Sequence, residues 1–244
     1  MTVVVLARHG RTRANADGLL AGWTPGVVLD DTGRDQAARL GGRLAAAPVV
    51  AVVSSPLERC LETAAAIRDA WDGANADAEP PALHTDERLG EAHYGAWTGR
   101  ALKDLAKEPL WRAVQDRPST VTFPAHPEHA HESLQQMQAR AVEALASWHA
   151  RIAAEHGPHA VWVAVSHGDV IKALLADALG TPLDRFQRIV IDPGSVSIVQ
   201  QTRRHPVVLR VNDSGADPLR FPPPPADQVG EAGDVVVGGG AGSV

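Results

Sequence analysis

Five side chains in this sequence could do chemistry together: Arg8, His9, Arg59, Glu91 and His167. His9-Gly10 and His167-Gly168 each follow an apolar run, Val3 to Ala7 and Val161 to Val165. Arg8 adjoins the first histidine, Arg59 follows a third apolar run, Val49 to Val53, and Glu91 sits in a glycine-punctuated loop, Leu89 to Gly99. Guanidiniums are permanent cations that grip phosphate or carboxylate oxygens in pairs, while imidazole and carboxyl groups trade protons and attack electrophiles. What must position them are the apolar runs. Short and β-branched, they read as buried parallel strands. Each delivers its polar successor to the carboxyl end of a strand, where open α/β sheets bind ligands.

The elements between these strands support the placement. Asp31 or Thr32 is expected to cap a helix running to about Ala46, and Ser55-Pro56-Leu57-Glu58 carries the N-cap, N1 and N3 signature of a helix running to about Trp71. That helix holds Arg59 in its first turn. Asp72 to Pro81 reads as a polar linker, and Leu83 to Arg88 as a short extended piece. From Arg100 to Arg117 the pattern is helical but broken by Pro109, Pro118 to His131 is irregular, and Glu132 to about His156 reads as one long helix. A helix after His167 should stop at Gly180. Phe186 to Ile191, Ser195 to Gln201 and Val207 to Val211 read as further strands. Alternation of strands with helices implies a three-layer α/β/α fold with a mainly parallel central sheet. The domain is expected over 1–213, and the proline- and glycine-rich 214–244 as a flexible tail.

Composition narrows the classes. The chain has 244 residues, with 29 acidic and 23 basic side chains for a net charge of −6, which disfavours nucleic-acid binding and argues for no nucleic-acid partner. No run reaches the length of a membrane span and no signal peptide is evident, so the expectation is a cytoplasmic protein with no membrane association. The one cysteine, Cys60, reads as small core filler. His126, His129 and His131 are too loosely spaced, and too broken by Pro124 and Pro127, to read as a metal site. No metal or cofactor is expected. His131-Glu132-Ser133 reads as the start of the long helix, at a pocket lid.

Arg8-His9-Gly10-x-Thr12-x-x-Asn15, Gly22-Trp23, Gly33-x-x-Gln36-Ala37, Ser54-Ser-Pro-Leu-x-Arg59-x-x-x-Thr63-Ala64, Leu89-x-Glu91-x-x-Tyr94-Gly95-x-Trp97-x-Gly99 and Ser166-His167-Gly168 form an ordered set of blocks over roughly residues 3 to 200. The set resembles the histidine phosphatase superfamily in its phosphoglycerate-mutase-like branch. The resemblance implies that His9 is a nucleophile carrying the phosphoryl group. It makes Arg8, Arg59 and His167 holders of the phosphate oxygens, with Asn15 as a further donor and Gly168 beside them. Glu91 would protonate the leaving oxygen and then activate water. Trp23 and Trp97, in loops at the same edge, are expected near the substrate. Residue types fit this chemistry, because phosphoryl transfer needs an in-line nucleophile and neutralised equatorial oxygens. With two guanidiniums and an imidazole in place, a metal clamp becomes unnecessary.

The branch contains phosphatases and mutases. A phosphoglycerate mutase would carry Arg where this chain has Ala92, and an Arg pair where it has Trp111-Arg112-Ala113. A metal-independent phosphatase acting on a small-molecule phosphoester is therefore the expectation, with a mutase as the alternative. Arg100, Lys103, Lys107, Arg112 and Arg117 could supply another anion clamp, and Ala21 stands where many family phosphatases place Gln. A third reading is a phosphoester-binding module without turnover. A homodimer is compatible with all three.

Overall fold

A computed structural model describes residues 2–71 and 79–215. Six strands form one sheet in the order β3-β2-β4-β1-β5-β6: β1 (Val3–Arg8), β2 (Val49–Ser54), β3 (Ala82–Thr85), β4 (Val161–Ser166), β5 (Val196–Gln201) and β6 (Pro206–Asp213). The first four in that order are parallel, and β5 and β6 close one edge antiparallel. The sheet is thus mixed, with a parallel centre. In the β1–β4 pair Arg8 lies opposite Ser166, so His9 and His167 leave adjacent strands at the same level.

Helices cover both faces. The short α1 (Arg13–Ala16) follows the first strand, then α2 (Asp31–Leu44) and α3 (Glu58–Asp69) cover one face. There Leu40, Cys60, Ala64 and Ile67 pack on Val5, Val52 and Val163. On the other face lie α4 (Leu102–Leu105), α5 (Pro109–Asp116), α6 (Leu134–His156) and α7 (Gly168–Ala178). Their core is aromatic as well as aliphatic, with Trp97, Trp111, Phe123 and Trp162 fully enclosed. Alternating burial of strand residues toward two helical layers is the pattern of a three-layer α/β/α domain. Among the described residues no helix is long and apolar enough to cross a membrane.

Several local expectations change. Ser55 is not the cap of α3: extended pairing continues past β2, with Ser55 N donating to the Val165 carbonyl at 2.9 Å, and the chain turns only at Leu57. The cap of α2 is Asp30, and α6 begins at Leu134 behind a reciprocal Ser133–Gln136 capping box. Phe186 to Ile191 is not a strand. Leu183–Arg188 is a 3₁₀ turn whose Phe186 is buried against α7. Residues 72–78 of the expected linker, and all of the expected tail except Ser214 and Gly215, lie outside the described residues.

Candidate active site

The carboxyl ends of β1, β2 and β4 bring His9, Arg59 and His167 together, as their order predicts. The turn after β1 is held by α2 and α3. Gly10 N donates to Thr63 Oγ1 on α3 at 3.1 Å, and Arg11 N donates to Gln36 Oε1 on α2 at 2.8 Å. Gly10 itself lies so close to α2 that a Cβ would stand 2.3 Å from the Gly33 carbonyl oxygen. The turn cannot accept a larger residue without moving.

That turn fixes the tautomer of His9. His9 Nδ1 lies 2.7 Å from the Gly10 carbonyl oxygen, which can only accept, so Nδ1 carries the proton. The Nε2 lone pair is left for the cavity that His9 lines. Burial, then the charges of Arg59 and Arg8, holds His9 well below the usual histidine range. A neutral, oriented imidazole is the nucleophilic form.

Arg59 Nη2 donates to the Gly22 carbonyl at 2.8 Å and faces His167 Nδ1 at 3.2 Å. A guanidinium has no acceptor, so His167 Nδ1 must receive that proton, and its Nε2–H donates to Ser55 Oγ at 2.8 Å. His167 is therefore a neutral ring that orients Arg59, and burial followed by the Arg59 charge keeps its basicity low. Arg59 Nη1 is buried without a protein partner among the described residues. A buried, unsatisfied cationic donor is expensive unless an anion meets it. Arg8 is fully enclosed, with Nη1 donating to the Ile191 carbonyl at 2.6 Å. Burial lowers it to about 10 against the opposing pull of Glu91 and Asp169, so it keeps its charge at neutral pH.

Glu91 faces the same cavity, its Oε2 3.9 Å from His167 Nδ1 and its Oε1 accepting from Ala92 N at 3.0 Å. Burial, then the charge of Asp169, pushes it up to about 7, with Arg59 and Arg8 pulling the other way. Between the two carboxyls stands Tyr94, which donates to Asp169 Oδ2 at 3.1 Å and lies within hydrogen-bond reach of Glu91. Asp169 is anchored from behind by Lys172 Nζ at 3.3 Å, which also donates to Gln187 Oε1 at 3.1 Å.

The remaining candidates divide. Asn15 lines the cavity, and it also caps: Thr12 N and Thr12 Oγ1 both donate to its Oδ1, leaving the amide NH₂ as its donor toward a ligand. Gly168 is the first residue of α7, where its N–H has no acceptor within the helix. Trp23 does not line the cavity. Its indole N–H donates to the Glu91 carbonyl at 2.6 Å and its ring stacks on His93. Trp97 is corrected outright, since it is wholly buried, packed on Trp111 and Phe123, with its N–H on Glu108. Glu132 does not form a lid over the cavity; it pairs with Arg140 at 2.6 Å. Among the described residues no group of His, Cys, Asp or Glu is arranged for a metal ion.

Sequence reasoning gave no role in the site to Tyr94, Asp169, Lys172 or Arg140, and placed Ser55 only as a helix cap. Tyr94 and Asp169 stood inside or beside matched blocks, which was a usable signal; Arg140 offered none. A larger cavity of about 480 Å³ opens elsewhere, along α6, α7 and β5, and is mostly apolar. It holds no cluster of cations, and its His149 is tied by Nδ1 to Thr2 Oγ1.

A buried neutral histidine, two arginines and a carboxyl that titrates near neutrality, at the carboxyl edge of a three-layer sheet, define a phosphoryl-transfer site of the histidine phosphatase kind. The chain belongs to the histidine phosphatase superfamily, branch 1, whose family model matches residues 4–214. It is 30% identical over 200 residues to a glucosyl-3-phosphoglycerate phosphatase of Mycolicibacterium vanbaalenii, covering 81% of this chain and 82% of that one. It is 37% identical over 123 residues to a 2,3-bisphosphoglycerate-dependent phosphoglycerate mutase of Arthrobacter, covering 47% of each. The solved structure of Bacillus stearothermophilus YhfR superposes with a TM-score of 0.73 at 30% identity, covering 87% of this chain and 98% of that one.

Proposed function

We propose that the protein is a metal-independent phosphomonoester hydrolase that works through a phosphohistidine on His9 and takes small phosphorylated metabolites. The observation that carries this reading is the His9 Nδ1–Gly10 hydrogen bond, which turns Nε2 into the cavity shared by Arg59 and Glu91. In the first step Nε2 attacks phosphorus and the P–O ester bond breaks. Glu91, protonated, gives its proton to the leaving oxygen. In the second step Glu91, now a carboxylate, takes a proton from water as that water attacks phosphorus. The P–N bond breaks, and phosphate and neutral His9 are released. Arg8 and Arg59 neutralise the equatorial oxygens throughout, which is the largest demand of phosphoryl transfer. A bound phosphate dianion would also favour a second proton on His167, converting Nδ1 from acceptor to donor.

The name of the mycobacterial relative makes phosphorylated sugar acids the first class to screen. The mechanism is tested by p-nitrophenyl phosphate turnover in EDTA, with and without His9→Ala. Turnover is expected in EDTA for the wild type, with an acid-labile phosphoryl group on the protein, and neither in the variant. Full activity of His9→Ala, or strict dependence on added metal, would overturn it.

A further inference from the structure

Behind the site, a single guanidinium on α6 holds the backbone on which Glu91 sits. Arg140 Nη1 donates to the carbonyls of Arg88 and Gly90 at 2.7 and 2.9 Å, and Nη2 donates to the Glu91 carbonyl at 2.9 Å. Its other two N–H groups meet Glu132 as a bidentate pair, Nε at 3.0 Å and Nη2 at 2.6 Å. All five donors of the guanidinium are therefore used. Glu132 Oε1 also accepts from His93 N at 2.9 Å, so the pair grips the chain on both sides of Glu91. Trp23 adds one more donor to the Glu91 carbonyl.

Resting on the phosphohistidine reading above, we propose that Arg140, paired with Glu132, is a positioning residue for Glu91: it sets where the carboxyl meets the leaving oxygen and the attacking water. The physical reason lies in what the loop lacks. The segment holding Glu91 is a run of 3₁₀ turns, Glu87–Leu89 and Gly95–Trp97, with irregular backbone between them. Its carbonyls at Arg88, Gly90 and Glu91 point toward α6, and the planar five-donor fork matches their spacing in a way an ammonium cannot. All five Arg140 donors go to the Glu91 loop and to Glu132, none to His9, Arg8 or Arg59, so its loss acts first on Glu91. What changes is proton delivery. A displacement of about 1 Å of a catalytic group costs on the order of 100-fold.

That expectation has a signature that loss of stability does not. The test uses Arg140→Gln in the full chain, with two esters, glycerol phosphate and p-nitrophenyl phosphate. Glycerol is a poor leaving group and needs the Glu91 proton, whereas p-nitrophenolate leaves without it. Turnover of glycerol phosphate is expected to fall about 100-fold or more. With p-nitrophenyl phosphate a stoichiometric burst is expected, followed by slow turnover, because the second step still needs Glu91 as base and phosphohistidine accumulates. Equal loss on both esters with no burst would overturn the proposal. Should Arg140→Gln not fold, Arg140→Lys carries the same comparison: loss of glycerol phosphate turnover with a p-nitrophenolate burst supports positioning, and loss on both esters with no burst overturns it. The wild type separates the two levels of inference. If it forms no phosphohistidine, the mechanism itself fails; if it does and Arg140→Gln shows no burst, only the role of Arg140 fails.

Discussion

At the scale of single residues, the proposed mechanism rests on two acid–base tasks separated by environment. His9 is held well below the usual histidine range by burial and by two flanking guanidiniums, which keeps it neutral for the part of nucleophile in the proposed mechanism. Glu91 is kept protonated by burial and by Asp169, so it remains an acid up to about pH 7. The sign of the resulting profile follows. A carboxyl raised to about 7 holds its proton below that pH and loses it above, so kcat/KM for an alkyl phosphomonoester should fall about tenfold per pH unit on the alkaline side. The groups facing Glu91 are Asp169 and Tyr94 on one side, Arg8, Arg59 and His167 on the other. Asp169→Asn removes the like charge while keeping an acceptor for Tyr94 and Lys172. Burial, the larger cause, stays. The alkaline limb should therefore move to lower pH without reaching the value of a solvated glutamate. A pH–rate profile of Asp169→Asn that overlays the wild type would show that the neighbouring carboxylate does not tune the acid.

At the scale of elements, the site depends on how closely helices approach strands and one another, and glycine sets that approach. Along α2, Gly33 and Gly41 lie against backbone, while Gly42 faces open space. A Cβ on Gly41 would stand 2.5 Å from the Ala66 carbonyl of α3, the helix that carries Arg59. Gly42→Ala should stabilise the fold by about 0.5–1 kcal/mol, the ordinary helix-interior difference, and leave activity alone. Gly41→Ala should cost about 1–3 kcal/mol as overpacking, and shift α3 enough to weaken phosphate binding. Urea midpoints and the KM for p-nitrophenyl phosphate check both, and a Gly41→Ala protein as stable as Gly42→Ala would refute the account. These elements were legible to different degrees. Strands β1, β2 and β4 showed as unbroken apolar runs, and their polar successors fell where the fold placed them. Ser55 was misread because Ser-Pro-x-Glu is a genuine capping signature. Only the tertiary pairing of Ser55 N with Val165 shows the chain to be still extended there. Trp97 was misread because its partners, Trp111 and Phe123, lie far along the chain, and a glycine-flanked tryptophan looks the same whether it turns toward a ligand or a core. Arg140 left no trace because its partners are mostly backbone carbonyls, which every residue has.

For the whole molecule, the question is which acceptor receives the phosphoryl group. The half of the pocket assigned to phosphate in the proposed mechanism is built from blocks spread over the chain, which is why the sequence offered it. The half that meets the leaving group is built from the loop after α1 and from α4, whose residues carry no such pattern. Its walls are Leu19, Leu20, Ala21 and Leu102, with Asn15 the nearby amide. Two of the cations proposed for an alternative anion clamp are engaged elsewhere, Arg100 with Glu108 at 2.6 Å and Lys107 with Asp104 at 2.8 Å. Ala92, where a mutase would place Arg, is completely enclosed. A mutase must return the phosphoryl group to a second hydroxyl of a retained acid and keep water from phosphohistidine meanwhile. An apolar, cation-poor wall gives a carboxylate no partner there, so the dephosphorylated acid should leave before the transfer back. With 3-phosphoglycerate and 2,3-bisphosphoglycerate supplied together, phosphate release should exceed the formation of 2-phosphoglycerate at every time point, as followed by phosphorus NMR. The rate of 2-phosphoglycerate formation should not rise with the bisphosphate. If it does, and outruns hydrolysis, the acceptor side holds a carboxylate after all, and Arg112 and Lys103 become the residues to replace first.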